Sequence, residues 1–208
     1  MTGGGIKALI FDLGNVLVDF DHMIAAKRAA AFTDKTPRQI YDMFFDSRLT
    51  AVFEEGKITP EDFFFEIKKA LDLRLDYAGF CPIWNEIFFL SERNRQVHSL
   101  AKVLKARYKI ALLSNINIMH FEYLKKNFPI FDAFHNIITS FESGHRKPDL
   151  EIYEQALGLL GAAPEEAFYT DDRPELVGRA REYGISGFVF TGVERLKNDL
   201  LEKGVEIK

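Results

Sequence analysis

The sequence predicts an α/β fold: a doubly wound, Rossmann-like parallel sheet carrying a small all-helical cap. Three observations predict it. Short apolar runs of strand length recur along the chain, helical periodicities separate them in its second half, and one long segment near the start shows helical patterns alone. The first run, Ile6-Lys7-Ala8-Leu9-Ile10, is cut off by Phe11-Asp12-Leu13-Gly14-Asn15. It reads as a buried strand whose carboxyl end opens into a loop, the place where open α/β sheets bind ligands. Asp12 is therefore expected to face substrate.

From about residue 21 to residue 90 no strand is evident, which assigns residues 19–91 to a helical cap and residues 1–18 and 92–208 to the core. Thr36-Pro37-Arg38-Gln39 places a capping hydroxyl before a first-turn proline, with Gln at the capping-box position. Thr59-Pro60-Glu61-Asp62 repeats the device with acidic residues that suit the helix dipole. Phe63, Phe64 and Phe65 are consecutive and cannot share one face of a helix. Most of the cap's aromatic residues are expected to fill its core, because a small lobe needs large side chains to bury enough area. Arg48, Glu54, Glu55 and Trp84 are candidates to face a cleft and select substrate. Hinges are expected near residues 18–21 and 90–94.

Beyond the cap, apolar runs at 108–113, 136–139, 167–170 and 187–190 read as strands. Between them lie the helical sets Val97, Leu100, Val103 and Leu104; Ile152, Tyr153, Ala156, Leu159 and Leu160; and Leu176, Val177 and Ala180. Strands separated by helices pair in parallel, since a parallel connection needs a crossover of helical length.

A formal net charge of -4 over 208 residues gives no bulk attraction for nucleic acid or an anionic membrane, so an anionic ligand needs a local positive site. The single cysteine, Cys81, excludes an internal disulfide and fits a reducing compartment. The start Met1-Thr2-Gly3-Gly4-Gly5 lacks a basic region leading into an apolar one, and no apolar run approaches the roughly 20 residues that span a bilayer. A cytoplasmic location is expected.

Four polar groups stand at or just beyond apolar runs: Asp12, Ser114-Asn115, Lys147-Pro148-Asp149 and Asp171-Asp172. Singly each has an ordinary explanation. Aspartate forms turns or caps helices, serine and asparagine cap helices, and a loop lysine is a solvated charge. One of Asp171 and Asp172 could cap the helix begun by Pro174 while the other pairs with Arg173. Adjacent carboxylates at a buried edge are nevertheless costly unless a cation joins them, and a hard, oxygen-ligated ion such as Mg²⁺ supplies a physical reason for the pair. Pro148 restrains Lys147 and holds its ammonium near the strand ends.

In this order the four groups resemble the motifs of the haloacid dehalogenase-like hydrolase superfamily, most of whose members are magnesium-dependent phosphatases. Within it, Asp-Leu-Gly-Asn-Val-Leu-Val-Asp-Phe-Asp, a helical insert, Ser-Asn and Arg-Lys-Pro look most like the glucose-1-phosphatase subgroup. The resemblance implies Asp12 as nucleophile, with Ser114, Asn115 and Lys147 binding the phosphoryl group and Ser114 and Lys147 aiding catalysis. It also implies Mg²⁺ held by Asp12, the Gly14 carbonyl, Asp171 and Asp172, with Asp172 a direct ligand and Asp171 direct or through water. Arg146 and His145 are expected to face outward. The implied substrate is a small phosphorylated metabolite, with a sugar phosphate as one candidate, and neither nucleic acid nor membrane is an expected partner.

The chain departs from the pattern at Gly14, where most of these phosphatases carry a second Asp that protonates the leaving group. Three readings stay open. The protein is a phosphatase that draws its proton from water, from substrate, or from Asp19, Asp21 or His22; a 2-haloacid dehalogenase-type hydrolase, whose halide needs no proton; or a non-catalytic metal- and phosphate-binding module.

Overall fold

The computed structural model describes residues 5–45 and 47–207, so the opening Met1-Thr2-Gly3-Gly4 lies outside the described residues. The strands are β1 (Ala8–Phe11), β2 (Asp19–Phe20), β3 (Phe88–Phe89), β4 (Lys109–Ser114), β5 (Asn136–Thr139), β6 (Ala167–Asp171) and β7 (Ser186–Val189). Five of them form one parallel sheet in the order β5-β4-β1-β6-β7. β1 is central, with Phe11 level with Leu112 on one side and Thr170 on the other. The Asp12 amide continues the ladder by donating to the Thr170 carbonyl at 2.9 Å. The carboxyl ends of β1, β4 and β6 thus meet at one edge.

The helices are α1 (His22–Ala29), α2 (Pro37–Phe45), α3 (Arg48–Glu54), α4 (Pro60–Leu71), α5 (Tyr77–Asn85), α6 (Glu92–Lys105), α7 (Ile118–Asn127), α8 (Ser140–Ser143), α9 (Leu150–Leu160), α10 (Pro174–Glu182) and α11 (Val193–Glu202). Side chains on β1 alternate between the two faces of the sheet, as a strand's period of two requires. Leu9 and Phe11 join Val97 and Leu104 of α6 and Leu196 and Leu200 of α11 in one buried cluster. Ala8 and Ile10 join Ile152 and Ala156 of α9 and Val177 and Ala180 of α10 in another. Helices therefore cover both faces, which is the doubly wound arrangement expected.

The inserted segment forms α1 to α5 around a third cluster that includes Phe44, Phe53, Phe63, Phe80 and Trp84. Both helix starts follow the sequence signals. The Gln39 amide donates to Thr36 Oγ1 while Gln39 Oε1 accepts from the Thr36 amide, and Thr59 caps α4 through the Asp62 amide. The three phenylalanines divide as helical geometry demands: Phe63 is buried, Phe64 packs on Tyr77 and Phe80, and Phe65 is 62% exposed. At the neck, β2 and β3 pair antiparallel, Asp19 opposite Phe89. This ribbon adds strand to a lobe read as helical alone; two residues per strand show no period that a sequence could reveal. Among the described residues no helix is long and apolar enough to cross a membrane.

Candidate active site

Lys147 draws the strand ends together. Its ammonium, in a residue only 3% exposed, donates to Asp12 Oδ1 at 2.6 Å, Asp171 Oδ2 at 2.6 Å and the Leu113 carbonyl at 3.0 Å, which uses its three N–H groups. Asn115 holds the lysine's backbone through a pair of 2.8 Å bonds: its Nδ2 donates to the Lys147 carbonyl, and its Oδ1 accepts from the Lys147 amide. The Asn115 side chain is thus spent on placing Lys147.

Asp171 is fully buried and heavily engaged. Its Oδ2 also accepts from the Tyr169 hydroxyl, and its Oδ1 accepts from the Arg173 amide at 2.9 Å. Arg173 itself pairs with Glu175, not with either aspartate. Asp172 accepts from Asn15 Nδ2 at 2.8 Å. Asn15 adopts φ 55°, the left-handed region that Asn tolerates better than most residues, inside a tight loop where the Leu17 and Val18 amides both donate to the Leu13 carbonyl. One oxygen from each of Asp12, Asp171 and Asp172 lies within 4.8 Å of the others.

Burial raises the Asp12 carboxyl to about 7 against the pull of Lys147, with Asp171 and Asp172 adding to the rise. At Asp171 burial works upward too, but Lys147, Tyr169 and the Arg173 amide outweigh it, and the net shift is downward. Three carboxyl groups share one ammonium, and hard oxygen donors in that number suit a divalent cation.

These groups open into a cavity of about 460 Å³, lined also by Ser114 and by Arg48 and Glu54 of α3. Of the other cap candidates, Trp84 is buried in the lobe's core and Glu55 pairs with Lys57; neither lines the cavity. Arg146, expected outside, turns inward and meets Glu54 at 2.7 Å, because a half-buried carboxylate at the cavity wall gains from a cationic partner. His145 is exposed as expected.

Around Gly14 the space for a side chain is already taken: a Cβ there would lie 2.8 Å from Phe20 Cε1. Of the three proposed proton sources, Asp19 is held by Arg93 at 2.6 Å and by Asn94, and Asp21 caps α1 through the Met23 amide. Neither lines the cavity, whereas His22 does, its ring stacked on Phe45 at 3.7 Å.

Sequence reasoning missed Tyr169 and Asn15. Both left a signal: Tyr169 stands two residues before Asp171 on the same strand face, and an Asn after a Gly is a common left-handed turn residue.

His22 and His120 also contribute to how the protein responds to acid. His120 is buried between Trp84 and Asn117, its Nε2 donating to the Trp84 carbonyl and its Nδ1 accepting from Asn117 Nδ2, and burial pulls its pKa down to about 3. Burial likewise lowers His22 to about 4 against the opposing pull of Asp21. Both folded-state values lie below the unfolded one, so their stabilisation is complete above about pH 6.5 and is lost as pH falls toward 4. Each group adds a slope of up to about 1.4 kcal/mol per pH unit. Asp12, raised to about 7, works the opposite way over the same range, so the histidine contribution is read by difference: between pH 7 and pH 5 the urea midpoint of His22→Asn is expected to fall less than that of the wild type, and an equal change in the two contradicts a neutral, buried His22.

The chain is similar to known proteins over most of its length. A family model described as haloacid dehalogenase-like hydrolase matches residues 6–178. A sesquiterpene phosphatase from Aspergillus oryzae is 27% identical over 188 residues, covering 89% of this chain and 90% of the relative. A D-ribitol-5-phosphate phosphatase from Bacteroides thetaiotaomicron is 25% identical over 191 residues, covering 88% and 91%. A haloacid dehalogenase family enzyme from Bacteroides thetaiotaomicron, solved in complex with magnesium and inorganic phosphate, superposes with a TM-score of 0.76 at 29% identity over 89% of this chain and 94% of that one. The L-2-haloacid dehalogenase of Xanthobacter autotrophicus, at 21% identity and a TM-score of 0.63, shares the fold. Because the family match runs from the first strand into α10 and takes in every segment that meets at the cavity, this chain belongs to the haloacid dehalogenase-like hydrolases.

Proposed function

We propose that the protein is a magnesium-dependent phosphatase that hydrolyses a small phosphate ester through an aspartyl-phosphate on Asp12. The observation that carries this reading is the cluster of Asp12, Asp171 and Asp172 oxygens closed by the Lys147 ammonium inside the cavity. Asp12, the Gly14 carbonyl and Asp172 would hold the ion. Asp171, whose oxygens already accept three hydrogen bonds, suits a water-mediated place. A bound divalent cation neutralises charge between the incoming phosphate and the carboxylates.

Lys147 orients Asp12 by holding Oδ1, which leaves Oδ2 to attack phosphorus as the bond to the leaving oxygen breaks. Water then attacks the same phosphorus, and the bond to Oδ2 breaks to release phosphate and restore Asp12. Ser114 and the backbone beside Asn115 receive the phosphoryl oxygens, and Lys147 stabilises the charge that develops on them. The helical lobe acts as a lid that excludes water until the alcohol has left.

The relatives share a phosphatase name and differ in what carries the phosphate. A sugar or polyol phosphate is the substrate class we favour, because Arg48, Glu54 and Arg146 bring hydrogen-bonding groups to the cavity wall. A panel of sugar phosphates, nucleotides and acyl phosphates, assayed with Mg²⁺ and with a chelator, tests the reading. Turnover of at least one ester that disappears with chelator is the expected result. Hydrolysis of a 2-haloacid that chelator leaves untouched would install the dehalogenase reading instead, and metal-dependent phosphate binding without turnover would install the non-catalytic one.

A further inference from the structure

An alcohol leaves phosphorus poorly unless its oxygen is protonated as the bond breaks, so a phosphatase acting on alkyl phosphates needs a proton donor in the cavity. The groups that line it can be taken in turn. Asp12 is the attacking group, Asp171 already accepts three hydrogen bonds, and Asp172 is bonded to Asn15 in the carboxylate cluster. The three N–H groups of Lys147 are occupied. Both nitrogens of His120 are engaged, and both cavity histidines are neutral near pH 7. Position 14 holds no side chain, and the Phe20 ring fills the space one would need.

Among the described residues this leaves one carboxyl group on the cavity wall outside the cluster: Glu54, the last residue of α3, with its side chain 20% exposed and Oε2 2.7 Å from Arg146 Nη2. We propose that Glu54 is the catalytic acid and base of this enzyme, supplied by the helical lobe in place of a side chain at position 14. The proposal rests on the phosphatase reading above. In the first step the bond from Asp12 Oδ2 to phosphorus forms, the bond from phosphorus to the leaving oxygen breaks, and that oxygen takes the Glu54 proton. In the second, the Glu54 carboxylate removes a proton from water as the water oxygen bonds to phosphorus and the bond to Asp12 breaks. Phosphate, Asp12 and protonated Glu54 are regained.

Two features of the surroundings suit the task. Burial pushes the Glu54 carboxyl above the ordinary range against the pull of Arg146 and Arg173, with Glu55 adding to the rise, a direction that favours holding a proton. Arg146 precedes Lys147 in the chain, so the ion pair ties the acid on the lobe directly to the loop that positions the nucleophile's partner.

The test compares an alkyl phosphate with an aryl phosphate such as p-nitrophenyl phosphate, whose leaving group needs little protonation. Glu54→Gln, which can still accept from Arg146, is expected to lose about 10² to 10⁴-fold in kcat on the alkyl ester and only a few-fold on the aryl ester. It is also expected to lose the alkaline limb of the wild-type pH profile. An equal loss on both esters, or no loss on either, overturns the proposal. The wild-type enzyme gives a second reading that does not depend on how the variant folds: kcat/KM should vary only weakly with the pKa of the departing alcohol, and a steep dependence overturns the proposal. Failure of the phosphatase reading itself is a separate outcome, seen as no wild-type turnover on either ester or as turnover that survives in Asp12→Asn.

Discussion

Asp12→Asn is expected to abolish phosphate-ester turnover, by at least about 10⁴-fold, while leaving the protein as stable as the wild type or more so. The two halves of this expectation come from the same geometry. Asp12 is buried beside two other carboxylates, and burial lifts its own carboxyl to about 7, so its charge opposes folding. An amide keeps the shape and can still accept from Lys147, yet it has no charge with which to attack phosphorus. Turnover measured alongside thermal unfolding checks both halves. An inactive variant that is also strongly destabilised would mark Asp12 as a structural partner of Lys147 instead.

Lys147→Met should show the opposite balance. Removing one member of a buried charge cluster leaves uncompensated charge, at a cost of about 3–5 kcal/mol. Here two buried carboxylates lose their shared donor at once. Without the ammonium, the Asp12 carboxyl, already above its unfolded value, climbs further, and that of Asp171 loses its largest downward pull and rises above its unfolded value near 4. The folded variant then binds more protons than the unfolded chain, so its stability is greatest in acid and declines as pH rises from about 4 toward neutrality. Urea unfolding at pH 5 and pH 8 reads this directly: the deficit relative to wild type should be larger at pH 8. A deficit that is equal at both values contradicts the ion-pair geometry. Activity should fall as well, because the same ammonium serves the phosphoryl group.

Much of this was legible in the sequence because strand ends announce themselves. An apolar run broken by Asp12, by Ser114 or by Asp171 places a polar group at the carboxyl edge of a parallel sheet, and the order of those breaks carried the family. The helix starts at Thr36-Pro37 and Thr59-Pro60 were equally plain, since capping is chemistry local to four residues. What the sequence withheld depends on contacts between distant segments. Arg146 looked like a solvated loop charge until Glu54, 92 positions away, came to meet it. Asn115 looked like a phosphate ligand, and its amide proved to clamp the Lys147 backbone. Gly14 looked like a missing acid, and the structure adds that the edge of the Phe20 ring crowds the position. Trp84 was a candidate for the cleft and lies instead among Phe44, Phe63 and Phe80, because sequence shows that an aromatic is large without showing which way it points.

Phe20 also changes what an added carboxylate at position 14 can be expected to do. Gly14→Asp must displace the ring from a contact of 2.8 Å, and Phe20 is itself packed against His22 and Phe88. Overpacking of this kind costs about 1–3 kcal/mol. Gly14→Asp alone is therefore expected to lower the melting temperature, and adding Phe20→Ala should recover part of the loss. A Gly14→Asp protein as stable as wild type would show that the ring moves freely.

The most direct test of the whole arrangement is acid-quenched mass spectrometry of the enzyme mixed with Mg²⁺ and a substrate ester. The reading of Asp12 as nucleophile predicts one added phosphoryl group on the peptide that contains Asp12, absent with chelator and absent in Asp12→Asn. Turnover proceeding with no adduct there, or with the adduct on another residue, would contradict it.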